Sequence, residues 1–219
     1  MMIKDLRNVS RVVLALDLTE SKRYWDIMSE LRGLVKIVKV SWVTLLTIGP
    51  DGLRKLISDN RDVYFLMDAK LADVGFINNV IAGKLKELGV HGIIVHGFIG
   101  KFNMPNVSGL DLLVLASMTS GGELYDVNFE RMINIIKEIN AAGAIIGGNK
   151  PDLIRRARSY LGNDYVILSP GIGAQGVKPG CAIAHGADFE IVGRAIYESS
   201  NVRESFIKIE EESRRARCT

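Results

Sequence analysis

The chain alternates between short apolar runs and longer stretches in which apolar positions recur every three to four residues. The runs read as strands: "RVVLALD" (11–17), "VKIVKV" (35–40), "DVYFLMD" (62–68), "HGIIVHG" (91–97), "DLLVLAS" (111–117), "GAIIGG" (143–148), "YVILSP" (165–170) and "FEIVGR" (189–194). Nearly continuous Val, Ile and Leu suits parallel strands covered on both faces, because a half-exposed strand would alternate apolar with polar. Between the runs lie amphipathic helices. "TESKRYWDIMSELRG" opens on Thr19 as N-cap and stops at Gly33, "NNVIAGKLKELG" stops at Gly89, and "NFERMINIIKEINAAG" stops at Gly143. The connection after the fifth run is the long one and carries "SMTSGGELYD".

Strict alternation of strand and helix means a parallel α/β fold. Eight units in 219 residues predict a closed (β/α)₈ TIM barrel, with residues 1–219 as a single catalytic domain. An open doubly wound sheet is the alternative, since strand order is not visible in a sequence. In a barrel the chemistry belongs at the C-terminal ends of the strands, so the polar residues there are the candidates.

The first run ends at Asp17, the second carries Lys39, and the third delivers Asp68, Lys70 and Asp73 within "MDAKLADVG". Residues i and i+2 share a strand face, so Asp68 and Lys70 project together, with Lys39 brought beside them by the neighbouring strand. The expected result is a compact array Lys39–Asp68–Lys70–Asp73 with Asp17 nearby, its charges keeping one another ionised. A surface ion pair has the same spacing. The pattern becomes distinctive because consecutive strands end in charge after apolar runs.

The second signal is "SPGIGAQGVKPG" (169–180) after the seventh run. Its "GIGAQG" matches a dinucleotide fingerprint, yet Pro179 and Gly180 follow too soon for the long helix that fingerprint needs, and Glu190 downstream sits in a strand. A Gly-rich loop after strand seven, followed by "VGRAI" after strand eight, suits phosphate binding through backbone N–H groups instead. Pro170, Gly171, Ile172, Gly173 and Gly193 supply the backbone, Gln175 an amide, and Arg194 a bidentate grip. Met118 and Thr119 close the fifth strand and can line a planar ligand. His96 reads as core or as support for the site, His91 and His185 lie near strand starts, and Trp25 and Trp42 read as packing residues.

Composition narrows the classes. With 47% hydrophobic and 24% charged residues the chain is an ordinary globular one, and a net charge of +3 gives no nucleic-acid-sized basic field. The basic cluster "SRRAR" (213–217) reads as a solvated helix end. No apolar run approaches the ~18 residues of a membrane span, and the N-terminus lacks a signal-peptide pattern. Cys181 and Cys218 lie in neither a CxxC nor a Cys/His spacing. No disulfide framework and no zinc site are therefore expected, and a cytoplasmic setting is.

Five blocks in order, "LALD", the lysine of "KVSW", "DAKLAD", "SPGIGAQG" and "IVGRAI", span residues 14 to 196. Through them the chain resembles the orotidine 5′-phosphate decarboxylase family in its short microbial form. The resemblance implies cofactor-independent decarboxylation of orotidine 5′-monophosphate (OMP) to UMP in pyrimidine biosynthesis, with no metal and no cofactor. Lys70 would protonate C6 and Asp68 would face the departing carboxylate. Lys39 and Asp17 would complete the array and touch the ribose, and Thr119 would meet the pyrimidine. Gln175 and Arg194 would hold the phosphate, and Asp73 would reach across a homodimer interface. Four positions depart from the family pattern: Thr119 stands for a usual serine, Ser41 for a glycine, Gly75 for a proline and Ile77 for a threonine. A Mg²⁺-dependent sugar-phosphate decarboxylase or aldolase of the same superfamily is the nearest rival, although its strand-two glutamate is here Lys39. A non-catalytic nucleotide-binding barrel is the other.

Overall fold

A computed structural model describes residues 1–218. Eight strands run in order: β1 (Val12–Ala15), β2 (Ile37–Ser41), β3 (Tyr64–Leu71), β4 (Gly92–His96), β5 (Asp111–Leu115), β6 (Gly143–Ile145), β7 (Val166–Pro170) and β8 (Phe189–Val192). Each pairs in parallel with the next, and β8 returns to β1 through Val12↔Glu190, Val13↔Ile191 and Leu14↔Val192, so the barrel is closed. Every residue of β1 and β8 is buried, as expected for strands with side chains inside the barrel on one face and helices on the other.

The helices are α1 (Ser21–Glu30), α2 (Trp42–Asp59, broken at Gly49), α3 (Gly75–Glu87), α4 (Glu123–Val127), α5 (Phe129–Glu138), α6 (Pro151–Leu161), α7 (Cys181–Ala184), α8 (Arg194–Tyr197) and α9 (Val202–Arg215). Among the described residues none is long and apolar enough to cross a membrane.

Two expected helix boundaries are corrected. Thr19 does not cap α1, because the buried Tyr24 hydroxyl takes both Leu18 backbone groups (3.1 Å and 2.7 Å), which keeps the chain extended to Glu20. Gly143 does not stop α5. The turn is made at Asn140 (φ 51°), and Gly143 lies in β6 so close to β7 that a Cβ there would lie 1.9 Å from the Val166 carbonyl oxygen.

The bottom of the barrel is plugged by a 3₁₀ turn, Ile3–Leu6. Asp111 Oδ2 accepts the Ile3 amide (2.7 Å) and the Tyr64 hydroxyl (2.9 Å), satisfying a carboxylate at the stability face. There too, His91 Nδ1 accepts the Phe65 amide at 3.0 Å.

At the C-terminus, "SRRAR" behaves as a solvated helix end, with Arg214 on Glu210 (2.7 Å) and Arg215 on Glu211 (3.7 Å), both i,i+4 pairs. The cysteines do not stay free: Cys181 and Cys218 form a disulfide with Cα atoms 4.3 Å apart. Their separation of 37 residues hid this. The tail after α9 turns at Ala216 (φ 50°) and folds back over Gly180, where a Cβ would sit 3.1 Å from the Arg217 carbonyl oxygen. The first residue of α7 is thereby brought beside Cys218.

Candidate active site

The charged groups expected at the strand ends meet at the C-terminal mouth. β1 aligns Ala15 with Lys39, and β2 aligns Ser41 with Asp68, so three strands converge there. Lys39 Nζ lies 3.2 Å from Asp17 Oδ2 and 3.4 Å from Asp68 Oδ2, and Lys70 Nζ lies 2.7 Å from the same Asp68 oxygen. The chain of charges Asp17–Lys39–Asp68–Lys70 alternates in sign. Its inner members are buried (Lys39 8% and Asp68 11% exposed), while Lys70 is 41% exposed.

Burial by itself would pull the Lys39 ammonium down, but Asp68 and Asp17 outweigh it and hold Lys39 above its ordinary value. Burial would push Asp68 up, but Lys39 and then Lys70 hold it below its ordinary value. Both stay ionised. One Asp68 oxygen carries both lysines, whereas Oδ1 is buried without a hydrogen-bond partner.

Asp68 and Lys70 do face each other, but not through the regular strand alternation expected of them. Met67 pairs with Ile93 and Leu71 with Val95, so β3 bulges between them, and Lys70 takes a left-handed backbone (φ 43°). A non-glycine residue there costs about 1–3 kcal/mol and needs support from its surroundings. Trp42 supplies some: its indole Nε1 donates to the Ala69 carbonyl at 2.7 Å. Trp25 packs as expected, but Trp42 holds the bulge that aims Lys70.

Two expected site residues lie outside the cleft. Asp73 is exposed, and its carboxylate accepts the Val74 amide at 2.7 Å at the start of α3 rather than joining the array. The bulge ends before it, so its direction is set by α3 rather than by the strand. Gly173 turns under α8, where a Cβ would lie 2.7 Å from Ala195 Cβ, and does not line the cleft.

The remaining residues line one cleft of ≈ 280 Å³. Asp17, Lys39, Asp68 and Lys70 form one wall, while Pro170, Gly171, Ile172, Gln175, Gly193 and Arg194 form another, with Met118 and Thr119 between them. Ile94, Leu115, Ile145 and Ile191 add apolar surface. In the Gly-rich loop, Gly171 (φ 102°) requires its glycine twice over: a Cβ there would also lie 2.8 Å from Thr119 Cγ2. Arg194 is exposed at the start of α8 and has no carboxylate partner among the described residues.

Glu190 is no ribose ligand. It is fully buried in β8 and accepts the amides of Gly180 (2.8 Å) and Ala182 (3.0 Å) and the Ser213 hydroxyl (2.6 Å).

Sequence reasoning missed Ser41 and Tyr197 as site residues. Ser41 Oγ donates to Asp17 Oδ1 at 2.5 Å; its place two residues after Lys39 on β2 was the available signal. Tyr197 lines the cleft from α8, three residues after Arg194. Gly75, where the family pattern has proline, donates its amide to Asn103 Oδ1 at 3.0 Å, and a Cβ would meet the Phe102 carbonyl at 2.9 Å. Proline does not fit this turn.

A closed (β/α)₈ barrel with a buried lysine–aspartate array facing a Gly-rich anion loop across one cleft defines an enzyme site for a phosphorylated ligand. The chain belongs to the orotidine 5′-phosphate decarboxylase / HUMPS family, whose model matches residues 10–209. It is similar to the orotidine 5′-phosphate decarboxylase of Pyrococcus abyssi, with 36% identity over 206 residues, covering 93% of this chain and 99% of that one. Among solved structures, orotidine 5′-phosphate decarboxylase from Pyrococcus horikoshii OT3 superposes with a TM-score of 0.85 at 36% identity, over 93% of this chain and 99% of that one. Orotidine 5′-monophosphate decarboxylase from Sulfolobus solfataricus gives 0.80 at 30% identity, over 94% and 99%.

Proposed function

We propose that this chain, acting as one catalytic domain over residues 1–219, decarboxylates OMP to UMP with its own charged side chains. The phosphate sits against the loop of Pro170–Gly171–Ile172 and Gly193, gripped by Gln175 and Arg194. The ring lies toward Thr119, and Asp17 and Lys39 reach the ribose. The C6–carboxylate bond breaks, CO₂ leaves, and the bonding pair stays at C6. Lys70 stabilises that charge and delivers a proton from Nζ to C6, after which the amine regains a proton from solvent.

The observation that carries this reading is the Lys70 ammonium held 2.7 Å from buried Asp68 at the cleft wall. A fixed ammonium needs no reorganisation as charge develops, which is where enzymes obtain their largest electrostatic effect. Asp68 beside the substrate carboxylate adds ground-state repulsion, which departure of CO₂ relieves. Binding free energy at the distant phosphate orders the site for the reaction.

The working form is a homodimer. Val74 at the cap of α3 and Phe76 and Val80 on it, with Phe98 and Phe102 after β4, leave a run of exposed apolar side chains around Asp73. A second copy covers this face, and Asp73 of one protomer then enters the cleft of its partner. We place the chain in the cytoplasm, where a disulfide such as Cys181–Cys218 is the uncommon case.

The test is an ultraviolet absorbance time course of purified protein with OMP in excess EDTA. Loss of the orotate chromophore with appearance of UMP is expected. No change in EDTA, with turnover of a sugar phosphate once Mg²⁺ is added, would move the chain to the metal-dependent branch. Lys39 argues against that outcome, because its ammonium sits between Asp17 and Asp68 where a cation would bind.

A further inference from the structure

We propose that Asp126 is a positioning residue, bracing from outside the cleft the turn that carries Thr119. The turn spans 117–122, "SMTSGG", between β5 and α4. Thr119 and Met118 face the cleft, whereas Asp126, Asn149 and Lys150 do not line it.

The two ends of the turn are tied by one carboxylate. Asp126 Oδ1, from α4, accepts the fully buried Ser117 hydroxyl at 2.9 Å, and Oδ2 accepts Lys150 Nζ at 2.5 Å. The middle is held from the loop after β6, where Asn149 Nδ2 donates to the Thr119 carbonyl at 2.8 Å. Lys150 runs close beneath the turn: a Cβ on Gly122 would sit 3.1 Å from its Nζ. A third tie joins the Tyr125 hydroxyl of α4 to His96 Nδ1 at the end of β4. Burial pushes Tyr125 up to about 12 and pulls His96 down, with Lys70 adding to the latter, so a neutral imidazole meets a protonated phenol.

Within the turn, Gly121 (φ 60°) gives the backbone freedom that the ties take away. The pattern is a flexible arch clamped from the ends of β4 and β6 and from α4, and of the clamping side chains only Ser117 also lines the cleft. Such clamps set where Thr119 stands over the ring and, among the described residues, make no hydrogen bond to Gln175 or Arg194 on the phosphate wall. The specific consequence is a split between ring binding and phosphate binding.

This inference rests on the nucleotide reading above, and its test separates the two. Affinities of UMP and ribose 5-phosphate are measured by calorimetry for the wild type, Asp126→Asn, Lys150→Met, the double variant and Asn149→Ala, with steady-state kinetics on OMP alongside. Each single variant is expected to weaken UMP and raise KM roughly tenfold, with kcat and ribose 5-phosphate affinity held within about twofold. The double variant should be no worse than either of its singles, because the partners act as one unit. Equal weakening of both ligands, or a lowered melting temperature with neither ligand weakened, would reduce the brace to a structural role and overturn the proposal. A wild type that binds UMP no better than ribose 5-phosphate would overturn it as well, since Thr119 would then contribute nothing to ring binding. A wild type that binds UMP tightly yet does not turn over OMP would refute only the catalytic reading, with the calorimetric comparison still deciding the brace.

Discussion

Lys70 Nζ lies 2.7 Å from Asp68 Oδ2, two residues back along β3, and the chain makes this contact only where β3 bulges away from its register with β4. The left-handed backbone at Lys70 (φ 43°) is therefore part of the site's construction. A regular strand would place the same two side chains on one face but would not supply the bend that carries the lysine to the cleft mouth.

Lys70→Ala is expected to lower kcat for OMP by on the order of 10⁴-fold or more, because both charge stabilisation and proton delivery are lost. UMP affinity should stay within a few-fold. Single-turnover absorbance and calorimetry on the same preparation read the two effects, and a variant retaining more than a hundredth of the activity would remove Lys70 from the proton-donor role.

The array also makes stability depend on pH. Burial pushes Asp68 up, but Lys39 and then Lys70 prevail and hold it below its ordinary 3.8 in the folded chain. A depressed carboxyl stabilises the fold above its unfolded value and loses that contribution as pH falls through the folded value. Lys39, raised above its ordinary 10.5, contributes fully below that value and loses it as pH rises through the folded one. In urea denaturation the advantage of the wild type over Asp68→Asn should be full at pH 6 and shrink as pH drops below about 4. Curves that stay parallel down to pH 2 would contradict this origin.

Reduction of Cys181–Cys218, or Cys218→Ser, frees a loop closed over 37 residues. Chain entropy puts the cost at about 4 kcal/mol, which for a chain of this size corresponds to a fall in melting temperature of roughly 8–16 °C. Scanning calorimetry with and without reductant checks it. Identical transitions would mean that α9 and α7 hold the tail without the bond.

Arg194→Ala should raise KM for OMP on the order of 10²-fold through loss of a charge-assisted phosphate contact. Binding of orotidine, which lacks the phosphate, should be unchanged. Competition binding with both ligands decides it, and equal losses for both would place Arg194 elsewhere in the site.

Much of this architecture is written in local pattern. The eight apolar runs, the helices between them and the charges at Asp17, Lys39, Asp68 and Lys70 could all be read along the chain, because burial on two faces and strand-end chemistry are properties of short segments. The Gly-rich loop, with Gln175 inside it and Arg194 after the eighth strand, was legible for the same reason: positive φ selects glycine residue by residue. What the tertiary structure decided depends on partners distant in sequence, or on competition between near neighbours that a pattern cannot rank. Closure through β1 and β8 fixes which strand ends are neighbours. The bulge at Lys70 exists because β3 and β4 slip against each other and Trp42 catches the Ala69 carbonyl. Asp73 leaves the array because α3 takes its carboxylate, Thr19 fails as a cap because Tyr24 claims Leu18, and Cys181 meets Cys218 because the tail folds back over Gly180. The bulge and the disulfide are won by residues that no local window contains, whereas Asp73 and Thr19 lose to near neighbours, Val74 and Tyr24, in contests for one hydrogen bond that only the folded geometry ranks.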